Sequence, residues 1–239
     1  MRNLLSKIIS NNSISIRKLR RYKIIFQSNQ HLNLFFFKDY EKNIWDNLRD
    51  LLPPPPTGSI FLDIGANIGQ SALILHSIFD NIKTISFEPS PNEFRYLQSN
   101  ILLNNLNGVT INGLITDKVG YSKFYIDVLT GGRLSQISFS NEKESILVKS
   151  YSFTEQLKLY NPYLIKIDIE GFEAELFKSF DPFYFKNSNF IVEVRAESSE
   201  SIIKIFLETH DIVLLETKDF IKFPMKIPFG NLLIKKKQD

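Results

Sequence analysis

The run LIKIDIEGFEAEL, residues 164–176, sets charged groups inside an apolar segment. Its first half alternates as a β-strand does, with isoleucines on one face. The opposite face carries three charged side chains, those of Lys166, Asp168 and Glu170. Because an unpaired charge is costly to bury, this face either meets water or leads into a site that uses the charges.

A second acid stands at the turn FLDIGANIGQS, residues 61–71. Asp63 ends a predicted strand, and Gly65 and Gly69 bracket a tight turn into a predicted helix. The dinucleotide-binding turn G-x-G-x-x-G holds a pyrophosphate on the helix N-terminus, but the middle glycine is missing here. The acid repels a pyrophosphate and suits a ligand with a cationic group, such as the amino group of an amino acid. The simpler interpretation is a plain tight loop.

A third acid, Glu88, ends the next predicted strand in ISFEPSPNEF, 23 residues after Gly65. An acid at this place can accept hydrogen bonds from both hydroxyls of a ribose. Residues 90–93 form a helix-capping box, and Glu88 lies outside it, so we predict no local structural role for Glu88. A ribose-bearing ligand with a cationic tail and no pyrophosphate is S-adenosylmethionine. NAD is the competing ligand, disfavoured by Asp63.

From residue 58 onward, predicted strands alternate with predicted helices. This order predicts an α/β fold with a largely parallel sheet, helices on both faces and a ligand site beyond the carboxyl ends of the strands. A β-hairpin is expected from residues 121–127 and 146–153. The string at 162–170 is predicted to be a strand, followed by a helix over 171–180.

The N-terminal part has a different pattern. Two apolar strands are predicted within residues 22–37, around a polar turn at 28–30, and a helix over 39–52. Four prolines, 53–56, cannot continue that helix. We therefore divide the chain into an N-terminal extension (1–52), a proline-rich spacer (53–57) and a main domain (58–239).

Charge is distributed unevenly along the chain. Residues 1–38 hold eight Lys and Arg and no Asp or Glu, whereas the remainder carries 21 basic and 26 acidic side chains. The basic arm could touch anionic lipid or a phosphate-bearing substrate, and the more ordinary interpretation is a solvated surface helix. The acidic body, with no aromatic and basic platform, predicts no nucleic-acid partner.

The remaining composition excludes several kinds of site. The chain has no cysteine, which fits a reducing compartment, and we expect a cytoplasmic location. Its three histidines are far apart in sequence, which disfavours a zinc site. The carboxylates of the charged run could bind magnesium, but no sequence feature requires this ion, so we expect no metal site. No apolar run approaches the roughly 18 residues of a membrane-spanning helix.

Four strings in order, FLDIGANIGQSALIL, ISFEPSPNEFRYLQSN, INGLITDKVGYSKFYI and LIKIDIEGFEAELF, resemble the FkbM family of S-adenosylmethionine-dependent methyltransferases. The resemblance runs from about residue 58 to 195, and the last string is the most particular to the family. It implies a Rossmann-like, seven-stranded methyltransferase sheet. It also implies methyl transfer to oxygen, often on a sugar, glycan or natural-product hydroxyl.

The resemblance also implies roles for residues. The cofactor's methionine end would be held by the turn residues Asp63, Gly65, Ala66, Asn67 and Gly69. Glu88, with Pro89 beside it, would take the ribose, and the turn from Asn112 to Leu114 would lie along the adenine.

One position departs from the family pattern. The family usually has a Thr-Leu-Asp-like segment before the charged strand, and this chain reads YSFTEQL. Thr154 stands at the expected aspartate, so the role of that acid is absent or passes to Glu155.

Methyl transfer to a hydroxyl needs a group that accepts the proton. We assign this role to Asp168, with Lys166 keeping it ionised or binding an anionic part of the substrate. Glu170 is a second candidate, although capping of the following helix is the simpler role for it. Glu193 ends the next predicted strand, FIVEV, and is assigned to substrate binding.

Two other functions stay open. One is an NAD-dependent oxidoreductase, which the same glycine turn could serve. The other is a binding protein that keeps the fold without catalysis, which the change at Thr154 would suit.

Overall fold

The computed structural model describes residues 14–27, 31, 42–127, 134–135, 143–178 and 180–237. These residues form an eight-stranded sheet, a four-stranded sheet and a two-stranded hairpin, with helices packed around them. The predicted α/β class is confirmed. No described helix is both long and apolar enough to cross a bilayer.

The elements are numbered in chain order. The strands are β1 (Ile14–Leu19), β2 (Tyr22–Gln27), β3 (Ile60–Ile64), β4 (Lys83–Glu88), β5 (Gly108–Asn112), β6 (Leu114–Thr116), β7 (Gly120–Asp127), β8 (Leu134–Ser135), β9 (Lys143–Ser152), β10 (Leu164–Ile167), β11 (Asn189–Arg195), β12 (His210–Leu214), β13 (Asp219–Phe220) and β14 (Phe229–Lys236). The helices are α1 (Lys42–Leu51), α2 (Gln70–Ile78), α3 (Pro91–Leu103), α4 (Phe153–Tyr160), α5 (Glu173–Leu176) and α6 (Ser199–Phe206), with a 3₁₀ turn at Pro182–Phe185.

The large sheet has the order β13-β12-β14-β11-β10-β3-β4-β5. The five strands from β11 to β5 are parallel, and β14 runs antiparallel between β11 and β12. The sheet therefore has the seven strands predicted, with the two-residue β13 added at one edge. The predicted hairpin is also present, because β7 pairs antiparallel with β9 in the smaller sheet.

Alternate residues of the central strands pack on opposite faces of the large sheet. Leu62 and Ile165 belong to one buried cluster, whereas their chain neighbours Phe61 and Leu164 belong to another. A strand covered on both faces is apolar at nearly every position. A charged residue in β3 or β10 is therefore exceptional and calls for a specific partner.

The N-terminal hairpin differs from the prediction. Strand β1 pairs with β2 around a turn at Arg20 and Arg21, so residues 14–19 form a strand and the interpretation as a surface helix is wrong there. The predicted turn at 28–30 lies outside the described residues, as does the predicted second strand apart from His31. Helix α1 begins at Lys42, within its predicted range.

Helix α1 packs on the main sheet. Its Trp45 and Leu48 are buried in one cluster with Phe61 of β3, and the Tyr163 hydroxyl donates a hydrogen bond to the carbonyl of Pro53 at 2.8 Å. The division of the chain at the prolines stays a prediction.

Candidate active site

Three neighbouring parallel strands, β10, β3 and β4, end at one edge of the large sheet. This topology brings the predicted acids together, since Asp63 lies in β3, Glu88 ends β4 and Asp168 follows β10. A pocket of about 620 Å³, including its open mouth, lies at this edge. Its wall contains six of the predicted site residues: Gly65, Asn67, Glu88, Pro89, Asp168 and Glu170.

The glycine turn lies against the end of β10. Gly65 has φ 79°, and a Cβ built on it would lie 1.9 Å from the carbonyl oxygen of Asp168. The N–H groups of Gly65 and Ala66 donate hydrogen bonds to the carbonyl of Phe87 at 3.1 and 2.9 Å. Gly69, at φ 87°, precedes helix α2, where a Cβ would lie 2.8 Å from Leu97. Glycine at both positions lets the turn pack this closely.

Asp63 lies beneath the pocket, with its side chain fully buried. Neither carboxylate oxygen has a hydrogen-bond partner among the described residues. Its neighbour across the strand pair is Lys166 of β10. Burial raises the pKa of Asp63 to about 6, an effect that the charge of Lys166 partly offsets. Buried polar atoms usually have partners, so this carboxylate is available to an ion, a water molecule or a ligand.

Glu88 is buried at the end of β4, with 3% of its surface exposed. Contrary to the prediction, it has a local structural role. Its carboxylate accepts hydrogen bonds from the N–H of Asn67 at 2.7 Å and of Ser90 at 2.8 Å. Burial raises the pKa of Glu88 to about 8 despite these bonds. Each oxygen accepts one of these bonds and keeps a second lone pair for a ligand hydroxyl.

Asn112 acts on the backbone of the site. Its side-chain amide donates to the carbonyls of Glu88 at 2.9 Å and Pro89 at 3.2 Å. These bonds fix the end of β4 against β5. The residues that follow, Gly113 and Leu114, line the pocket, as the prediction of an adenine wall requires.

Lys166 and Asp168 form an ion pair with 3.0 Å between Nζ and Oδ2. The lysine side chain is 10% exposed and the aspartate side chain 31%. Strand β10 ends at Ile167, three residues before the predicted end, although the Asp168 N–H still donates to the carbonyl of Ile64 at 3.1 Å. Lys166 thus lies between two carboxylates, and Asp168 faces the pocket.

Glu170 is in a turn at φ 57°, outside the strand that was predicted to contain it. Its carboxylate lies 2.7 Å from the guanidinium of Arg195, which is also 3.6 Å from Glu193. Burial and the charges of Asp168 and Glu170 raise the pKa of Glu193 to about 8. Arg195 was not predicted as a site residue, although it lies two residues after Glu193 and therefore on the same face of β11.

The predicted capping role of Glu170 is wrong. The carboxylate of Glu173 instead accepts hydrogen bonds from the N–H groups of Ile169 at 2.9 Å and Gly171 at 3.2 Å. Helix α5 is also short, Glu173–Leu176, where residues 171–180 were predicted to be helical. The turn between β10 and α5 is therefore held by an acid of the helix itself.

Apolar residues complete the pocket wall: Ile64, Phe87, Leu114, Ile115, Phe124 and Ile169. Phe124 comes from β7 of the smaller sheet, a contact between distant segments that no local pattern indicates. Thr154 and Glu155 are in the first turn of α4, where Glu155 is exposed and its N–H donates to Ser152. Neither of them is among the described residues that line the pocket.

The fold and the pocket define an α/β protein of the Rossmann-like methyltransferase class. The family model described as Methyltransferase FkbM domain matches residues 63–221, and the chain belongs to this family. A relative from Beauveria bassiana (strain ARSEF 2860), described as Methyltransferase 1, is 24% identical over 174 residues. The match covers 63% of this chain and 66% of the relative, just under two thirds of its length.

Among solved structures, two methyltransferases are similar to this chain. The tRNA (uracil-54, C5)-methyltransferase of Pyrococcus abyssi, in complex with S-adenosyl-L-homocysteine, has a TM-score of 0.50 and 13% identity, over 92% of this chain and 43% of that one. The precorrin-6y C5,15-methyltransferase of Geobacter metallireducens GS-15 has a TM-score of 0.47 and 10% identity, over 82% and 86% of the two chains. At 13% identity, the likeness to the Pyrococcus abyssi structure concerns the fold alone.

Proposed function

We propose that this protein is an S-adenosylmethionine-dependent O-methyltransferase that acts on a hydroxyl of a sugar, glycan or natural product. The observation that carries the proposal is the convergence on one pocket of the glycine turn, Glu88 and Asp168. Next to it lies the carboxylate of Asp63, which has no hydrogen-bond partner among the described residues. Family membership supports the methyl transfer. The carboxylate beside the pocket supports oxygen as the acceptor atom.

The pocket suits the cofactor at three places. Glu88 has lone pairs left for the ribose hydroxyls. The apolar wall, with Phe87 and Leu114, suits the faces of an adenine ring. The negative charge of Asp63 below the turn favours a ligand whose other end is cationic.

The bound cofactor supplies an activated methyl group, and the protein must position the acceptor and remove its proton. Asp168 lines the pocket and accepts the hydroxyl proton at a carboxylate oxygen. Lys166, whose Nζ lies 3.0 Å from Oδ2 of Asp168, holds this carboxylate in position at the pocket wall. Glu170 lines the pocket and forms an ion pair with Arg195, and this pair can bind polar groups of the acceptor.

The two alternatives make different demands on the same pocket. An NAD-dependent oxidoreductase would have to place a pyrophosphate near Asp63, where the buried acid opposes it. A non-catalytic binding protein would not need a carboxylate held in place by a lysine at the pocket wall. The ion pair between Lys166 and Asp168 therefore favours a catalyst.

The first test is thermal unfolding with S-adenosylmethionine, S-adenosylhomocysteine or NAD in excess. A ligand at about 100 times its Kd stabilises by about 2.7 kcal/mol, which raises Tm by roughly 5–10 °C for a chain of this size. We expect both adenosyl compounds to raise Tm and the variant Glu88→Ala to remove the shift. A shift with NAD alone would contradict the proposal.

The second test separates a catalyst from a binding protein. We expect Asp168→Asn to keep the Tm shift with S-adenosylhomocysteine while methyl transfer falls about 10²- to 10⁴-fold. Loss of cofactor binding in this variant would show that Asp168 is not the base. The control is Asp117→Asn, at an exposed acid that is not among the described residues lining the pocket.

A further inference from the structure

The outward face of the N-terminal hairpin combines apolar and basic side chains. Directly opposed residues in β1 and β2 pair as Ile16 with Ile25 and as Lys18 with Lys23. Ile14 and Ile16 are 66% and 64% exposed, and both lysines are exposed. Isolated apolar residues on a surface are ordinary. Three isoleucines and two lysines lie together on this face of the hairpin. We call them the hairpin patch: Ile14, Ile16, Ile25, Lys18 and Lys23.

The opposite face of the hairpin is buried. Ile24 and Phe26 pack with Ile68 and Leu73 beside helix α2. The hairpin is therefore anchored to the main domain by one face, and its other face is held outward. This anchoring makes the hairpin patch a fixed surface.

Two asparagines fix the direction of the hairpin, Asn100 of helix α3 and Asn104 directly after this helix. Asn100 exchanges hydrogen bonds with the N–H and C=O of Ile25, and Asn104 does the same with Lys23. Helix α3 starts at the carboxyl edge of the sheet, directly after β4. The order of these bonds shows that β2 runs toward that edge.

The isoleucine end of the patch therefore points toward the edge of the sheet at which the pocket opens. Ile14 pairs with Gln27 at the end of β2. Four residues beyond Gln27, the ring of His31 lies 3.0 Å from Glu93 in the first turn of α3. The hairpin patch and the pocket thus share one side of the molecule.

We propose that the hairpin patch docks on an anionic membrane surface. The isoleucines would enter the boundary between headgroups and acyl chains, and the lysines would contact anionic headgroups. The charge of the segment is complementary to such a surface, because residues 1–38 contain eight Lys and Arg and no acid.

A second copy of the chain suits this face less well. Lys18 and Lys23 lie directly opposite each other, so two patches placed face to face would bring four ammonium groups together. A membrane has no such conflict. If the proposed methyltransferase function holds, on which this consequence rests, the acceptor hydroxyl belongs to a molecule presented at the bilayer, such as a lipid-linked glycan.

The test is sedimentation of the full chain with large vesicles. One vesicle type contains phosphatidylcholine with roughly 30% phosphatidylglycerol, and the other contains phosphatidylcholine alone. We expect binding to the anionic vesicles that weakens between about 0.1 and 0.5 M salt. Lys18→Gln with Lys23→Gln should weaken it about 30-fold, since each basic residue near an anionic surface contributes about fivefold.

Replacing Ile14 and Ile16 together by serine should weaken the binding by at least about tenfold. The matched control is Lys158→Gln with Leu159→Ser, an exposed basic and apolar pair on α4. Equal vesicle binding by the hairpin variants and the wild type would overturn the proposal. So would sedimentation without vesicles that the isoleucine variant abolishes, because that result identifies a face for self-association.

The same variants should keep the Tm shift with S-adenosylhomocysteine. This measurement separates the two proposals. A Tm shift without vesicle binding would leave the proposed function intact and overturn the membrane contact, and vesicle binding without a Tm shift would do the reverse.

Discussion

The buried acid Asp63 gives a quantitative prediction about stability and pH. Its pKa is raised from an ordinary value of 3.8 to about 6 in the folded protein, mainly by burial. The folded state therefore binds the proton more tightly than the unfolded state, and stability falls as pH rises from about 4 to about 6. This rise in the pKa of Asp63 corresponds to about 3 kcal/mol of unfolding free energy. This destabilisation is fully present above about pH 7.

Asp63→Asn removes the ionisation while keeping the shape of the side chain. We expect the difference in unfolding free energy between variant and wild type to be flat below about pH 4. It should then shift by about 3 kcal/mol in favour of the variant by pH 7. The cost of leaving a buried amide without partners does not depend on pH, so the change with pH reports the ionisation of Asp63.

Denaturant titrations of the ligand-free protein at a series of pH values measure this difference. Asp117→Asn, at an exposed position, is the control and should show no comparable change. A difference that stays constant from pH 4 to pH 8 would refute the assignment of a charged, desolvated Asp63. The variant should also bind S-adenosylhomocysteine about ten- to 100-fold more weakly, as loss of a charged partner implies. Unchanged affinity would remove Asp63 from the cofactor site.

Two further predictions concern stability. Gly65→Ala should lower the unfolding free energy by at least about 3 kcal/mol in denaturant titrations, because it adds a clash with Asp168 to backbone strain. The control is Gly58→Ala, at a position with a similar φ and open space around it, which should lower the unfolding free energy by only about 1 kcal/mol. An equal loss in the two variants would contradict the clash. Asn100→Ala should lower the unfolding free energy by about 2–4 kcal/mol, because Asn100 is fully buried and forms hydrogen bonds with three backbone groups. Asn104 is partly exposed, so Asn104→Ala should lower it by less. Equal losses in the two variants would show that other contacts hold the hairpin.

The order of elements and the edge that carries the site could be predicted from sequence because both depend on local patterns. Apolar strands, capped helices and glycine turns have short-range causes. Parallel topology then places the ends of β10, β3 and β4 together. The acids Asp63, Glu88 and Asp168 meet at that edge for this reason.

The N-terminal hairpin could not be predicted in this way. Its turn consists of Arg20 and Arg21, which no turn preference favours. Arg20 adopts φ 51° and pairs with Asp46 at 3.0 Å, and Arg21 pairs with Asp80 at 3.2 Å. Those partners are distant in sequence. The polar residues 28–30 match the local preferences of a turn better than Arg20 and Arg21 do. The sequence pattern therefore did not indicate the turn at Arg20 and Arg21.

The three charged residues of the run 164–176 have separate roles, which the alternation of apolar and charged residues could not distinguish. Lys166 is buried between the strands, Asp168 faces the pocket and Glu170 has left the strand to pair with Arg195. The deciding influence is the backbone, since Glu170 and Gly171 both have positive φ and end the alternation. A glycine directly after an acidic residue is therefore the signal that the strand face should not be extended beyond Asp168.

The balance of charge around the pocket connects the fold to the choice of ligand. Five acidic side chains lie at the pocket or next to it, together with the basic side chains of Lys166 and Arg195: Asp63, Glu88, Asp168, Glu170 and Glu193. The two acids nearest the glycine turn have raised pKa values because burial leaves their charge poorly compensated. A cationic ligand lowers the electrostatic free energy of these buried charges, whereas a pyrophosphate raises it. The same desolvation that destabilises the ligand-free fold therefore selects a positively charged cofactor over a dinucleotide.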